Sequence, residues 1–471
     1  MHCHQLYHHL KPAPLLNIAL TASVANIADD MVHIHATWLQ LPQSVKLSFL
    51  QEASQQLDSR RGVHKLYKIL LTSLKCPFPP KVISTPRYLC DEPQLRMRLL
   101  EGMLELHSSP EVINFQMYQF TQEPLSEDEE KLLTEVARKF LSRGLKVLVI
   151  QSVSGYPVLE AVALHGHSLR VLDISFASQV TDSQLEATLC REDRIASCQN
   201  LERIALEGTQ VTEAGVSSLL NKFPSIRCLE SPYLVKALQS TSAPGGLRKI
   251  VLDSQLKNDD KAIDIIAKAC PDLTQLSISH CFGNVQSLYG LDNLSQLAIG
   301  GVCADTLTAL LEKSGRGLQT LSFVNFSSDV DVTWVMSLCP RLTFLHVGAC
   351  SVNKSSPHIL SGDHKIPLVT LIMNVHALIS VTLWKNLFLA CNELTSVDLT
   401  PCESMTDVTL RQVLDSCEAL PNLRTFIVRG RHCGGDVDLT EQTIEYLSRK
   451  CVNLETVGDY STWSIRHSYQ N

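Results

Sequence analysis

One spacing of apolar residues recurs along the chain and limits what it can fold into. Around residue 270 it reads C-x-x-L-x-x-L-x-L-x-x-C, as Cys270, Leu273, Leu276, Ile278 and Cys281. It returns as Cys339, Leu342, Leu345, Val347 and Cys350, and again as Cys391, Leu394, Val397, Leu399 and Cys402. The shorter form L-x-x-L-x-L starts at Leu145, Leu169, Leu201, Leu247, Leu273, Leu294, Leu318, Leu342, Leu368, Leu394, Leu423 and Leu454, with a weaker copy at Ile226. Successive starts lie 21 to 32 residues apart and the units fill about two-thirds of the chain. The closing L-x-L alternates as one face of a short strand does. Such a strand cannot bury that face alone, so each unit must stack on the next.

The intervening segments carry helical periodicity. Ile263, Ile266, Ala267 and Cys270 fall at i, i+3, i+4 and i+7, and Leu410, Val413, Leu414 and Cys417 repeat the pattern. Each cysteine therefore closes an apolar helix face. The pairs in QVTDSQL, QVTEAGV and SMTDVTL supply a capping hydroxyl or carboxylate where such helices begin. A degraded first unit is expected at SPEVINFQM, with Val112, Phe115 and Met117 on its strand. Its helix would be capped by Ser126 with Glu129 and ended by Gly144.

This pattern resembles the cysteine-containing leucine-rich repeat and is similar to the repeats of F-box leucine-rich proteins. The resemblance implies an α/β leucine-rich-repeat solenoid, a horseshoe over residues 111–471, behind a small helical N-terminal region over residues 1–110. In that region Leu16, Leu20, Val24 and Ile27 share one helix face, and Pro42 opens a second helix through Val45 and Phe49. LPQSVKLSF, residues 41–49, fits the cullin-box pattern. The elongin-binding BC-box pattern, set on Pro14 and Leu15, departs at its Cys and last aliphatic positions, which are Ala19 and Ser23. Leu16, Leu20 and Val24 offer a shifted register. The order of parts also resembles the antagonist-of-mitotic-exit-network family.

The resemblance thus implies the substrate-recognition subunit of a cullin-RING ubiquitin ligase. Leu16, Leu20, Val24, Leu41, Pro42 and Val45 would form an adaptor-binding box within residues 14–50, for an elongin or F-box adaptor and its cullin. The other reading makes the same helices an end cap that covers exposed core, in a scaffold or regulatory binding protein with no ligase link.

Composition narrows the partners. A net charge of −7 without a long Lys/Arg run argues against nucleic acid. No apolar run approaches the roughly 18 residues needed to span a bilayer. The start, MHCHQLYHHLKPAP, lacks the form of a secretion signal. The expected location is cytoplasmic or nuclear, where the 16 cysteines would be thiols. No C-x-x-C occurs, His280 beside Cys281 is not a zinc spacing, and the cluster His2, His4, His8 and His9 reads as incidental. Neither a metal nor a cofactor is expected. No catalytic motif is present, so an enzyme is not expected.

Function is then expected on the strand face turned away from the core. The position between the last two apolar residues holds Asp173, Ala205, Val251, Ser277, Ala298, Ser322, His346, Ile372, Asp398 and Ile427, and the next outward position includes Glu207, Asp253, Asn374 and Arg429. This mixed, mildly acidic, partly apolar face suits a protein substrate. No carboxylate is placed by sequence to orient His346 as a base, so it reads as a contact.

Overall fold

The computed structural model describes residues 82–84, 93–107, 109–115, 125–152, 155–241, 246–252, 261–279, 285–324, 329–348, 365–374, 381–399, 406–416, 420–428 and 439–458. The chain divides into two compact units, Leu15–Arg248 and Lys249–Asn471. The first contains strands β1 (Val82–Ser84), β2 (Val112–Phe115), β3 (Val147–Ile150), β4 (Val171–Asp173), β5 (Arg203–Ala205) and β6 (Cys228–Glu230). The second contains β7 (Lys249–Leu252), β8 (Gln275–Ile278), β9 (Gln296–Gly300), β10 (Thr320–Val324), β11 (Phe344–Gly348), β12 (Thr370–Asn374), β13 (Ser396–Leu399), β14 (Thr425–Val428) and β15 (Thr456–Gly458). Within each unit neighbouring strands pair in parallel and in chain order. Every strand from β3 onward begins two residues after an expected start, the weak one at Ile226 included.

The reason lies in the register. Leu148, Leu172, Ile204 and Leu229 stand side by side in the first unit. In the second, Leu276, Leu297, Leu321, Leu345, Leu371, Val397 and Phe426 do the same. All of these side chains are buried. A one-residue slip would turn this whole row outward, so the apolar pattern fixes the pairing. Both units are leucine-rich-repeat solenoid built of strand, turn, helix and turn.

The helices of the first unit are α1 (Pro93–Glu105), α2 (Glu127–Leu141), α3 (Tyr156–His165), α4 (Asp182–Ala187), α5 (Glu213–Lys222) and α6 (Leu234–Ser240). Those of the second are α7 (Lys261–Ala269), α8 (Ala304–Ser314), α9 (Val332–Leu338), α10 (Val381–Ala390), α11 (Asp407–Asp415) and α12 (Glu441–Lys450). Their starts follow the expected caps. Thr181 and Thr406 cap α4 and α11 with reciprocal capping boxes, and Thr212 caps α5. The aspartate after the cap also reaches into the next repeat. Asp182 accepts from the Thr212 N–H at 2.8 Å and from its hydroxyl at 2.5 Å. Asp407 accepts from the Thr440 N–H at 3.0 Å, from the Thr440 hydroxyl at 2.6 Å, and from the Thr443 hydroxyl. Burial works to raise the Asp407 pKa, but the hydroxyls of Thr440 and Thr443 and the Thr440 amide outweigh it and hold it below the usual carboxylate range.

The repeated cysteines close the other end of the helix. Cys270, Cys339 and Cys451 each offer a carbonyl to the N–H of the leucine three residues on, at 3.0–3.1 Å. Gly166, Gly315, Leu291 and Phe223 make the same turn in other repeats, so the turn does not depend on sulfur. Space decides the residue. A Cβ on Gly315 would stand 2.8 Å from the Leu338 carbonyl oxygen and 3.1 Å from Cys339 Sγ. Cys270, Cys339 and Cys391 are buried, and burial pushes their thiols up to about 12. They fill the core as small apolar groups. Cys281, Cys350, Cys402 and Cys417 lie outside the described residues.

The degraded unit is present with its strand two residues out of the expected register. Ile113 and Phe115 face inward and Val112 outward, because Ile113, not Phe115, pairs with the buried Leu148. Met117 lies outside the described residues. Helix α2 carries the expected capping box between Ser126 and Glu129, and its chain leaves through Gly144 at φ +93°, a left-handed conformation that glycine adopts without strain. The Glu129 side chain is 3% exposed and forms an ion pair with Arg96 of α1 at 2.8 Å. Upstream of β2, strand β1 already pairs with it in parallel, and α1 lies between the two in sequence.

Candidate partner-binding face

The strands alternate in burial, so every second side chain points away from the helices. In parallel pairing these outward residues line up in rows. One row of the second unit runs Val251, Ser277, Ala298, Ser322, His346, Ile372, Asp398 and Ile427. A second, two residues earlier, runs Lys249, Gln275, Gln296, Thr320, Phe344, Thr370, Ser396 and Thr425 over the same strands. Where the strands are five residues long, a third row holds Gly300, Val324, Gly348 and Asn374. Apart from Val251, at 37% exposed, and the two buried glycines, these side chains are half-buried.

His346 is the centre of this face. Its Nδ1 lies 2.9 Å from Ser322 Oγ on one neighbouring strand, and its Nε2 lies 3.4 Å from Asn374 Nδ2 on the other. With the amide as donor, Nε2 accepts and the Nδ1 proton goes to Ser322. Burial lowers the His346 pKa below the usual histidine value, and Asp398 opposes that shift only in part. The imidazole is therefore neutral near pH 7. The ring has room because residue 348 is glycine: a Cβ there would sit 3.1 Å from Nε2 and 2.8 Å from a Val324 methyl. Ser322 stands mid-strand, with the amides of β9–β11 engaged in pairing. The paired strands thus offer this hydroxyl–imidazole contact no free backbone N–H pair of the kind that stabilises an oxyanion.

The first unit presents a different row: Asn114, Val149, Asp173, Ala205 and Glu230. Asp173 accepts from Gln151 Nε2 at 2.8 Å and from the Ser175 N–H at 2.9 Å. Arg203 Nη2 and Glu230 Oε1 form an ion pair at 2.9 Å. Glu207 is exposed, and its carbonyl accepts from the Phe176 N–H. Phe176 holds φ +63° and lays its ring where a side chain on Gly208 would stand, 2.5 Å from the Cβ position.

Of the residues expected on this face, the structure joins His346 to Asn374 and sets Asp398 nearby. Asp173 and Glu207 lie in the other unit. Asp253 and Arg429 lie outside the described residues, as do Leu16, Leu20, Val24, Leu41, Pro42 and Val45. Arg203 and Glu230 were missed. Arg203 occupies the first outward strand position, which the sequence reading did not use, and Glu230 belongs to the weak unit at Ile226. Extending the same alternation two residues back, and to the weak unit, would have found both. Among the described residues no group of three or more His, Cys, Asp or Glu side chains is arranged to hold a metal, and no helix is long and apolar enough to cross a membrane.

No family model matches the chain, and no curated protein sequence matches it. Among solved structures it is similar to one of the Rad7 and Elc1 complex in yeast, at 14% identity over 80% of this chain and 92% of that chain, with a TM-score of 0.47. It is similar to an internalin, inlF, from Listeria monocytogenes, at 15% identity over 79% of this chain and 94% of that one, TM-score 0.38. A structure of TLR13 in complex with ssRNA13 matches at 12% identity over 80% and 66% of the respective chains, TM-score 0.35. The leucine-rich-repeat architecture stands on the strand register and helix order described above.

Proposed function

We propose that this protein is a non-catalytic protein-interaction module that holds a protein partner on the outward rows of its strands. The carrying observation is the register itself. Side chains more than a hundred residues apart in sequence, from Val251 to Ile427, form one continuous row of half-exposed positions. Such a row offers apolar anchors between hydrogen-bonding groups, the composition of a specific protein interface.

The finer reading makes the chain a substrate-recognition subunit of a cullin-RING ubiquitin ligase, acting in the cytoplasm or nucleus. It is supported by the cullin-box-like LPQSVKLSF and the leucine-led helix before it. Leu16, Leu20, Val24, Leu41, Pro42 and Val45 would then gain burial from an elongin or F-box adaptor, at about 1.5–3 kcal/mol for each large side chain covered. Affinity purification from cells tests it. Wild type should bring down adaptor and cullin, and Leu16→Ser with Leu20→Ser should lose both without a change in melting temperature. Absence of a cullin from the wild-type sample sinks the ligase reading. A double variant that melts early instead supports the end-cap reading and a scaffold without a ligase link.

A further inference from the structure

Resting on the reading of the strand face as a protein-binding surface, we propose that β8–β12 form a recognition strip for an uncharged segment of the partner, centred on His346. The first observation is charge. Across these five strands, none of the three outward rows carries an Asp, Glu, Lys or Arg among the described residues, in a chain that is 19% charged. The nearest charges in those rows are Lys249 on β7 and Asp398 on β13, one at each side. His346, the titratable group in the strip, is held neutral between Ser322 and Asn374.

The second observation is relief. Gly300 and Gly348 flank Val324, and a Cβ on either would stand within 3.1 Å of a Val324 methyl. Their missing side chains let Val324 and the His346 ring lie close to the sheet. The result is a low platform about 19 Å across, from five strands at a spacing of about 4.8 Å. Phe344, Val324 and Ile372 supply apolar area, and Gln275, Gln296 and Ser322 supply hydrogen bonds.

Such a surface selects by exclusion. A charge laid on its middle would lose water and find an opposite charge only at the Lys249 or Asp398 edge, whereas an uncharged polar or apolar segment loses little and buries apolar area. The first unit cannot act this way, because Asp173, Arg203 and Glu230 stand on its face and engage their own partners.

Selection of short random peptides, displayed on phage, against the immobilised full chain provides the test. Enriched peptides should share a core free of Asp, Glu, Lys and Arg. Their capture should fall about tenfold or more with His346→Arg and with Ser277→Arg, while Val408→Ser on the exposed side of α11 leaves it unchanged. Ser277 is small and half-exposed, so its variant keeps the test open if His346→Arg melts early. A charged shared core overturns the inference, as does capture that survives both arginine variants. Capture lost only with Arg203→Ala overturns it while sparing the binding-face reading, and the absence of any enriched peptide overturns both.

Discussion

The two units use one backbone plan and present outward rows of different character. Strands β4–β6 are three residues long, and their outward rows include Asp173, Arg203 and Glu230, bound to one another's neighbourhood by hydrogen bonds and an ion pair. Strands β9–β12 are five residues long, and their outward rows are uncharged. The buried rows hardly differ, being Leu, Ile and Phe in the first unit, with Val and Met373 added in the second. Packing therefore sets the repeat, and the outward positions are left free to vary. In the first unit a partner must compete with existing pairs, at little net gain from each half-exposed ion pair. In the second it meets apolar and neutral polar groups whose burial is favourable without such competition.

The comparison breaks first if the buried rows are not what holds both units. Leu345 and Leu172, both fully buried, stand in the inward rows of the second and first units. Leu345→Asp or Leu172→Asp should each cost about 5 kcal/mol or more and abolish soluble expression, because the carboxylate has no partner there. Recovery of soluble, cooperatively melting protein from either variant would contradict the account.

A smaller effect separates buried from exposed charge in the first unit. Glu129→Ala removes one partner of a nearly buried pair with Arg96 and should cost about 3 kcal/mol. Glu111→Ala breaks an exposed pair with Lys146 and should cost less than about 1 kcal/mol. Urea denaturation of the two variants checks the order. In the second unit, Asp407→Asn weakens the clasp to Thr440 and Thr443, at about 1–2 kcal/mol. Because the folded-state pKa of Asp407 is depressed, its contribution is present above the unfolded carboxylate value and is lost as pH falls through the folded one. The gap between wild type and Asp407→Asn should therefore close in acid.

The smallest expected effect belongs to His346. Its folded-state pKa is lowered by burial against the partial opposition of Asp398. The unfolded chain thus takes up a proton at about 6.5 while the folded one stays neutral. Stability contributed by the neutral ring is full above that value and falls as pH drops toward the folded pKa. NMR of the imidazole should show titration below 6.5 with the proton on Nδ1. A midpoint above 6.5 would contradict the neutral strip.

Most of the fold was legible because a leucine in the core leaves a fixed mark in sequence. Leu273, Leu276 and Ile278 must recur to stack, so strand positions followed from them. The two-residue shift of the degraded unit was not legible, since EVINF offers both Ile113 and Phe115 as partners for Leu148 and only the pairing decides between them. The row membership of His346 was also legible, from its place between Leu345 and Val347. Its bonds to Ser322 and Asn374 were not: they join side chains 24 and 28 residues away, and repeat spacing varies too much to align them without the sheet. The outward positions of Arg203 and Glu230 could be read from the alternation, but their ion pair escaped for the same reason, being a property of register rather than of either repeat.

Site-specific photo-crosslinking tests the central claim most directly. A photoreactive residue would be placed in turn at Ser322 on the uncharged strip, at Arg203 on the charged face, and at Val408, which is 63% exposed on α11. The account predicts a discrete protein adduct from position 322, reproduced when the purified partner is mixed with the purified chain, and none from position 408. Adducts from position 408 alone, or none from position 322 while position 203 labels, would contradict it.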